Sequence, residues 1–201
     1  MTKVINWYET EAWVAGVDEA GRGPLAGPVI AAAVILHPHK PISGIADSKT
    51  LNPNRRKQLY QQILTNALAW STGRAEVSEI DQINILQASL LAMQRAVQGI
   101  SPLPKLVIVD GNTCPNLPCP AKTVVGGDRT IGAISAASIL AKVIRDQEME
   151  ELDKIFPEYG FANHKGYPTA SHIKKLNTFG ISPVHRRTFG PVRKCVTASL
   201  F

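Results

Sequence analysis

Three aspartates of this chain, Asp18, Asp110 and Asp128, each follow a short run of the kind that forms a buried strand, and Glu19 stands next to Asp18. Chain reversals at strand ends bring side chains from separate strands to one edge of a sheet. The spacing therefore predicts that these four carboxylates gather at one site.

Carboxylates that lie close together repel one another, which raises some of their pKa values unless a cation intervenes. Mg²⁺ is such a cation, since it prefers oxygen ligands and keeps waters or substrate phosphates in its other positions. Two such ions about 4 Å apart can stabilise the attacking and the leaving oxygen of a phosphodiester displacement. Adjacent Asp18 and Glu19 would point to opposite faces of a regular strand, so both can ligate only if the strand ends or bulges there.

Each acid also has a simpler interpretation. Strand-end aspartates often cap turns or helices, and Asp128 could be the N-cap of a helix that begins near Thr130. From residue types and spacing alone, both interpretations remain open.

The charge distribution is uneven along the chain. All sixteen Asp and Glu lie within residues 1–158, whereas the last 43 residues contain seven Lys and Arg and no acid. Such a basic section attracts phosphates and predicts a polyanionic partner. A solubilising basic face explains the same charges equally well.

Several classes of protein are disfavoured. The longest apolar run, Leu25–Leu36, is too short to span a bilayer and contains Pro28. The first residues have no apolar core or cleavage site typical of a secretory signal. The three cysteines include the pair Cys114 and Cys119 but no second pair, so we do not expect a zinc site, and free thiols suit a reducing cytoplasm.

Strands that alternate with helices predict an α/β fold. The predicted strands are Trp13–Val17, Val29–Leu36, Ser71–Val77, Leu106–Val109 and Ala121–Val125, the first two antiparallel. The predicted helices run from Pro53 to about Trp70, from an N-cap at Ser78 to Val97, and from about Ile131 to Phe156. Residues 1–156 would form the main domain, and residues 157–201 a basic helical extension packed on it.

Motifs in order along nearly the whole chain strongly resemble ribonuclease HII. They are DEAGRGP from Asp18, DSKTLN from Asp47, VDGN from Val109, GGD from Gly126, AASILAKVIRD from Ala136, HKGYPT from His164 and HRRTF from His185. The resemblance implies an RNase H-like mixed five-stranded sheet flanked by helices, with a small C-terminal helical extension. It also implies an endoribonuclease that cuts 5′ of ribonucleotides in RNA·DNA hybrids or in duplex DNA, leaving 3′-hydroxyl and 5′-phosphate ends.

The resemblance also implies roles for individual residues. Asp18, Glu19, Asp110 and Asp128 match the four metal-binding acids, which would hold two Mg²⁺ or Mn²⁺ ions. The loop Gly21-Arg22-Gly23 matches the segment whose backbone senses the 2′-hydroxyl in the minor groove. Tyr167 matches a tyrosine that packs on the deoxyribose after the ribonucleotide, although Pro168 follows it here and biases its backbone toward an extended form.

Other basic residues have less defined roles. Lys49, Lys142 and Arg145 are candidate phosphate contacts, although Lys142 and Arg145 could instead pair with acids on their own helix. His185 and Arg186 match a motif for which we expect a structural role, while His164 and His172 have no predicted role. The glycine spacing in the loop, followed by a strand, does not fit a dinucleotide-binding turn.

Two further hypotheses concern class and partners. The chain could bind nucleic acid without cutting it, and cleavage of a duplex with one ribonucleotide distinguishes this from the nuclease. Ribonuclease HIII is disfavoured because the first strand starts near Trp13 and the glycine loop differs.

Ser199, Leu200 and Phe201 resemble the end of a sliding-clamp docking motif. We expect the protein to be a monomer.

Overall fold

The computed structural model describes residues 13–45 and 51–198, with side chains described through residue 195. In these ranges the strands are β1 (Val14–Ala20), β2 (Val29–Ile35), β3 (Ala69–Ala75), β4 (Leu106–Asp110) and β5 (Ala121–Val124). The helices are α1 (Pro53–Asn66), α2 (Val77–Gly99), α3 (Gly132–Ile155), α4 (Phe161–His164), α5 (Ala170–Phe179) and α6 (Gly190–Ala198).

The five strands form one mixed sheet in the order β3-β2-β1-β4-β5. The pairs β1–β2 and β2–β3 are antiparallel, whereas β1–β4 and β4–β5 are parallel. The predicted α/β class and the antiparallel first pair are confirmed. Strands β1, β4 and β5 therefore end at the same edge of the sheet.

Helices cover both faces of the sheet. Strand β2 is buried at all seven positions, as expected for a strand covered on both sides. Ala31 and Ala33 join the core beneath α2, and Ala32 joins the core beneath α1 and α3. Small side chains here let the helices approach the sheet closely.

Two glycines set the closest approaches between helices and sheet. A Cβ at Gly16 in β1 would lie 2.2 Å from the backbone carbon of Ala133, and one at Gly73 in β3 would lie 2.0 Å from the Ala92 carbonyl oxygen. Any side chain would collide with helix backbone at these distances. Gly16 thus allows the first turn of α3 to rest on β1, two residues before Asp18.

Several predicted boundaries were wrong. Helix α1 ends at Asn66, and Trp70 belongs to β3. Helix α2 is capped by a reciprocal pair of glutamates, Glu76 and Glu79, rather than by Ser78. It is also kinked at Asn84, where φ is 68°, and the Asn84 side chain accepts hydrogen bonds from the next turn.

The segment after Pro157 packs on the main body through backbone and side-chain contacts. Ala26 forms an antiparallel bridge with His185. The Asp81 carboxylate in α2 accepts backbone N–H bonds from Arg187 and Thr188, each 3.0 Å. The division of the chain at residue 156 stays a prediction. Among the helices of the described residues, none combines the length and hydropathy needed to cross a bilayer.

Three histidines of this segment are part of its core. His164, His172 and His185 are all buried. Burial lowers the pKa of each, and for His185 burial together with the neighbouring His172 lowers the pKa to about 4. All three rings are therefore neutral in the folded protein near pH 7.

The buried histidines predict a stability that falls in mild acid. The unfolded chain protonates His185 near its ordinary pKa of 6.5, whereas the folded chain does so only near 4. The unfolded state then binds more protons, so the free energy of unfolding decreases as the pH falls from 6.5 to 4. Urea unfolding at several pH values measures this. The variant His185→Asn keeps an acceptor for the Ser182 N–H but has no imidazole to protonate. The difference in unfolding free energy between the wild type and this variant should therefore shrink as the pH falls. A difference that stays constant with pH would contradict the prediction.

Candidate active site

Three of the four predicted acids lie together at the edge where β1 and β4 end. Asp18 in β1, Asp110 at the end of β4 and Asp128 in the turn after β5 each contribute an oxygen, and these oxygens lie within 4.8 Å of one another. Val17 pairs with Val109 in the parallel register, so Asp18 and Asp110 follow as neighbours. The sheet topology alone therefore brings two of the three carboxylates together.

Asp18 is the most constrained of the three. Its side chain is buried, its Oδ1 accepts the Glu19 N–H at 2.7 Å, and Ser138 of α3 donates a further hydrogen bond to it. Burial raises the pKa of Asp18 well above its usual range, and the nearby Glu19 and Asp110 carboxylates raise it further. These hydrogen bonds oppose the rise without reversing it, and a cation would favour the ionised form.

The other two aspartates are held by the turn after β5. The Gly127 N–H donates to Asp110 Oδ1 at 2.8 Å, which ties the turn to the end of β4. The Ser135 hydroxyl donates to the Asp128 carbonyl oxygen at 2.5 Å, which ties the same turn to α3. Asp128 lies in a short 3-10 turn over Gly127–Arg129 and is itself buried.

Glu19 is not part of this group of three. Strand β1 neither ends nor bulges at Glu19, because its ladder with β2 continues to the pair Ala20–Ile30. Asp18 and Glu19 therefore face opposite sides of the sheet. The Glu19 carboxylate accepts a bond from Arg22 at 3.3 Å.

The glycine loop lies against Tyr167. A Cβ at Gly23 would be 3.4 Å from Cε1 of the Tyr167 ring, which is 43% exposed. Gly21 has φ +104°, a conformation that favours glycine, and a Cβ there would collide with Arg145. The two features predicted to read the sugar are thus adjacent.

Two buried arginines hold the carbonyl oxygens of this loop. Arg186 donates to the carbonyls of five residues, at 2.6 to 3.2 Å: Gly21, Arg22, Pro24, Gly27 and Pro28. Arg145 donates to the carbonyls of Ala26, Pro28 and Lys165 at 3.0 to 3.1 Å. The loop has too many Gly and Pro to pair in a strand, and the arginines supply the donors instead.

The buried position of Arg145 corrects its predicted role. Its side chain is 1% exposed and its donors face loop carbonyls, so it does not present a guanidinium to a phosphate. Burial lowers the pKa of Arg145, and burial with the neighbouring Arg145 lowers the pKa of Arg186 to about 9. Both groups remain cationic at neutral pH. Arg186 has the structural role expected of its motif, but the sequence did not reveal that its partners are the carbonyls of the glycine loop.

The remaining predicted contacts are less central. Lys142 pairs with Asp146 at 2.7 Å, the helix-surface partner anticipated as an alternative, and its ammonium lies 6.0 Å from the centre of the Tyr167 ring. Lys49 lies outside the described residues. Lys142 therefore stays a candidate phosphate contact beside Tyr167.

Fold and site together define the class of RNase H-fold hydrolases. The family model of ribonuclease HII matches residues 15–192, and the chain belongs to the ribonuclease HII family. It is thus an enzyme, a metal-dependent ribonuclease H, and the hypothesis of binding without catalysis is not supported.

Solved structures agree with this fold. The ribonuclease H2 of Pyrococcus horikoshii OT3 is 28% identical with a TM-score of 0.76, covering 92% of this chain and 97% of that one. The RNase HII in the PCNA complex of Archaeoglobus fulgidus is 23% identical with a TM-score of 0.74, covering 89% and 95%. Bst-RNase HIII in complex with Mn²⁺ is 18% identical with a TM-score of 0.72, covering 92% and 70%.

The arginine–carbonyl contacts predict that Arg186→Lys loosens the loop. A lysine keeps the charge but loses the planar fork of donors, so several carbonyls lose their partners. We expect a loss of about 3 kcal/mol in unfolding free energy and faster hydrogen exchange for the amides of residues 21–28. Arg187→Lys, at the exposed neighbour, should change stability by less than about 0.5 kcal/mol. Equal exchange in the two variants would show that Arg186 does not order the loop.

Proposed function

We propose that this protein is an endoribonuclease that cuts the phosphodiester 5′ of a ribonucleotide, in RNA·DNA hybrids and at single ribonucleotides in duplex DNA. The products would carry 3′-hydroxyl and 5′-phosphate ends. The observation that carries the proposal is the gathering of Asp18, Asp110 and Asp128 at one sheet edge. The family supports ribonuclease H activity in general, and the substrates and cleavage position are our inference.

The three aspartates fit a divalent metal. They offer only carboxylate oxygens, the donors that Mg²⁺ and Mn²⁺ prefer, and their mutual repulsion is relieved by a cation. We assign them as metal ligands and keep Glu19 as the fourth, which would require its carboxylate to leave Arg22 and turn to the side of the sheet on which Asp18 lies. When bound, two such ions stabilise the attacking and leaving oxygens of the displaced phosphodiester.

The glycine loop supports recognition of the ribose. Because the carbonyls of Gly21 and Arg22 face Arg186, the loop is ordered from the side opposite to its exposed residues. Arg22 and Gly23 are both exposed. Because Gly23 has no side chain, the minor groove of a duplex can approach its backbone closely. We infer that this backbone reads the 2′-hydroxyl.

Tyr167 supports recognition of the next sugar. Its exposed ring lies beside Gly23 and presents a flat apolar surface. A ring stacked on deoxyribose would clash with a second 2′-hydroxyl, which would favour an RNA-to-DNA junction. Lys142, next to this ring, would contact a phosphate there.

Mapping the cleavage of a duplex with one ribonucleotide, in Mg²⁺ and in Mn²⁺, tests the function. We expect one cut, 5′ of the ribonucleotide. Asp110→Asn should lower the rate by at least about 10²-fold, since it removes charge from the metal site while its amide oxygen still accepts the Gly127 N–H. Substrate binding should be largely kept. Glu151→Gln, which alters an exposed acid paired with Lys154, should cut normally. Binding without cleavage by the wild type, or full turnover by Asp110→Asn, would contradict the proposal.

The docking of the C-terminus on a sliding clamp stays a prediction. Ser199, Leu200 and Phe201 lie outside the described residues. If they form the motif, a clamp protein should be retained by the full chain in a pull-down and lost when the three residues are deleted. Equal retention by both chains would contradict the contact.

A further inference from the structure

The three buried histidines form a compact group directly behind Tyr167. The rings of His164 and His172 stack with centroids 4.3 Å apart, and His172 Nε2 lies 3.1 Å from His185 Nε2. The Phe161 ring lies beside the group, perpendicular to the His172 ring with centroids 5.6 Å apart. The function proposed above gives these rings no role.

Fixed backbone donors determine where the ring protons lie. The Ser182 N–H donates to His185 Nδ1 at 3.0 Å, so in the neutral ring the proton is on Nε2. That N–H faces His172 Nε2, which must then accept. The His172 proton is therefore on Nδ1, from which it donates to the Tyr167 carbonyl oxygen at 2.9 Å.

The chain of hydrogen bonds consequently runs in one direction, from Ser182 through His185 and His172 to Tyr167. His164 supports the same site from the other side, because its carbonyl accepts the Tyr167 N–H at 2.9 Å. Its ring is also fixed, with Nδ1 accepting the Gly166 N–H and Nε2 facing the Tyr159 carbonyl. Both peptide groups of Tyr167 thus contact a histidine, and the Tyr167 carbonyl also accepts the Thr169 N–H at 2.8 Å.

The surroundings of the group keep it neutral. Lys175 of α5 disfavours protonation of His164 and His172, while Asp153 of α3 acts in the opposite direction on His164. A proton added to His172 Nε2 would place two N–H groups against each other at 3.1 Å. The direction of this series of hydrogen bonds, from Ser182 to Tyr167, therefore requires His172 Nε2 to remain unprotonated.

We infer that His172, oriented by His185, is a positioning residue that sets the Tyr167 ring against Gly23, and so contributes to the choice of an RNA-to-DNA junction. The inference rests on the proposed function, in which Tyr167 reads the sugar after the ribonucleotide. The Tyr167 side chain is exposed, so its position depends on its backbone more than on packing. Pro168 adds no N–H to hold that backbone.

Two neutral polar substitutions at position 172 separate positioning from packing. In His172→Asn, the amide nitrogen takes the place of Nδ1 and can still donate to the Tyr167 carbonyl. In His172→Gln, the amide reaches the place of Nε2, which keeps a partner for His185 and loses the bond to Tyr167. Both leave a neutral amide in the same pocket, so they serve as controls for each other.

The measurement is the ratio of kcat/KM on a duplex with one ribonucleotide to kcat/KM on a hybrid with one strand all RNA. We expect His172→Gln to lower this ratio about tenfold, the effect of one lost hydrogen bond, and Tyr167→Ala to lower it at least as much. His172→Asn should stay within about threefold of the wild type. The double variant Tyr167→Ala with His172→Gln should show no further loss.

Other outcomes overturn the inference or its premise. Equal ratios for the Asn and Gln variants would assign His172 a packing role only. If neither variant folds, the nitrogen chemical shifts of the histidine rings in the wild type at pH 7 test the inferred proton positions. A proton on Nε2 of His172 would refute the direction of the hydrogen bonds and with it the inference. Failure of the wild type to cut either duplex would instead refute the proposed function.

Discussion

The close approach of three carboxylates at one sheet edge is the constraint on which the other features depend. Asp18, Asp110 and Asp128 each place an oxygen within 4.8 Å of the others, although burial and the neighbouring Glu19 and Asp110 carboxylates raise the pKa of Asp18. Parallel pairing of β1 with β4 and the close seating of α3 on Gly16 impose this arrangement. The packing of the core thus holds the three carboxylates close together, and a bound cation would relieve the repulsion between them.

A second group of buried charges organises the neighbouring loop with the opposite sign. Arg145 and Arg186 lie in the interior, and their guanidinium groups donate to backbone carbonyls. The desolvation of a guanidinium is offset by several such bonds in good geometry. The result is a rigid segment, only three residues beyond Asp18, whose outer side remains accessible. The buried aspartate group and the loop held by the buried arginines are therefore only a few residues apart along the chain.

The sequence was informative where few structural environments could stabilise a given pattern of residues. Acids behind apolar runs predicted the gathering of Asp18, Asp110 and Asp128, and the glycine-bounded apolar runs predicted the strands. Helix α2 was harder to read, because an apolar residue recurs every three or four positions from Ile83 to Val97, yet Ile83 and Leu86 are exposed while Met93 and Val97 are buried with three alanines: Ala88, Ala92 and Ala96. The kink at Asn84 changes the helical face, and no periodicity before it can anticipate that change.

Long-range hydrogen bonds were beyond sequence reasoning. Arg145 reads as a surface residue from its helical spacing, yet it is buried because carbonyls more than a hundred positions away need donors. The separation of Glu19 from the other acids likewise follows from the strand continuing past it, which depends on β2 as a partner. Such features depend on tertiary contacts that no local pattern encodes.

The distance along the chain between Arg186 and the loop it holds has a consequence for biosynthesis. All three clustered aspartates leave the ribosome before Arg186. A nascent or prematurely terminated polypeptide would possess the three aspartates but lack the donors of Arg186 that order residues 21–28. The hydrogen bonds that order residues 21–28 therefore form only after Arg186 has been synthesised.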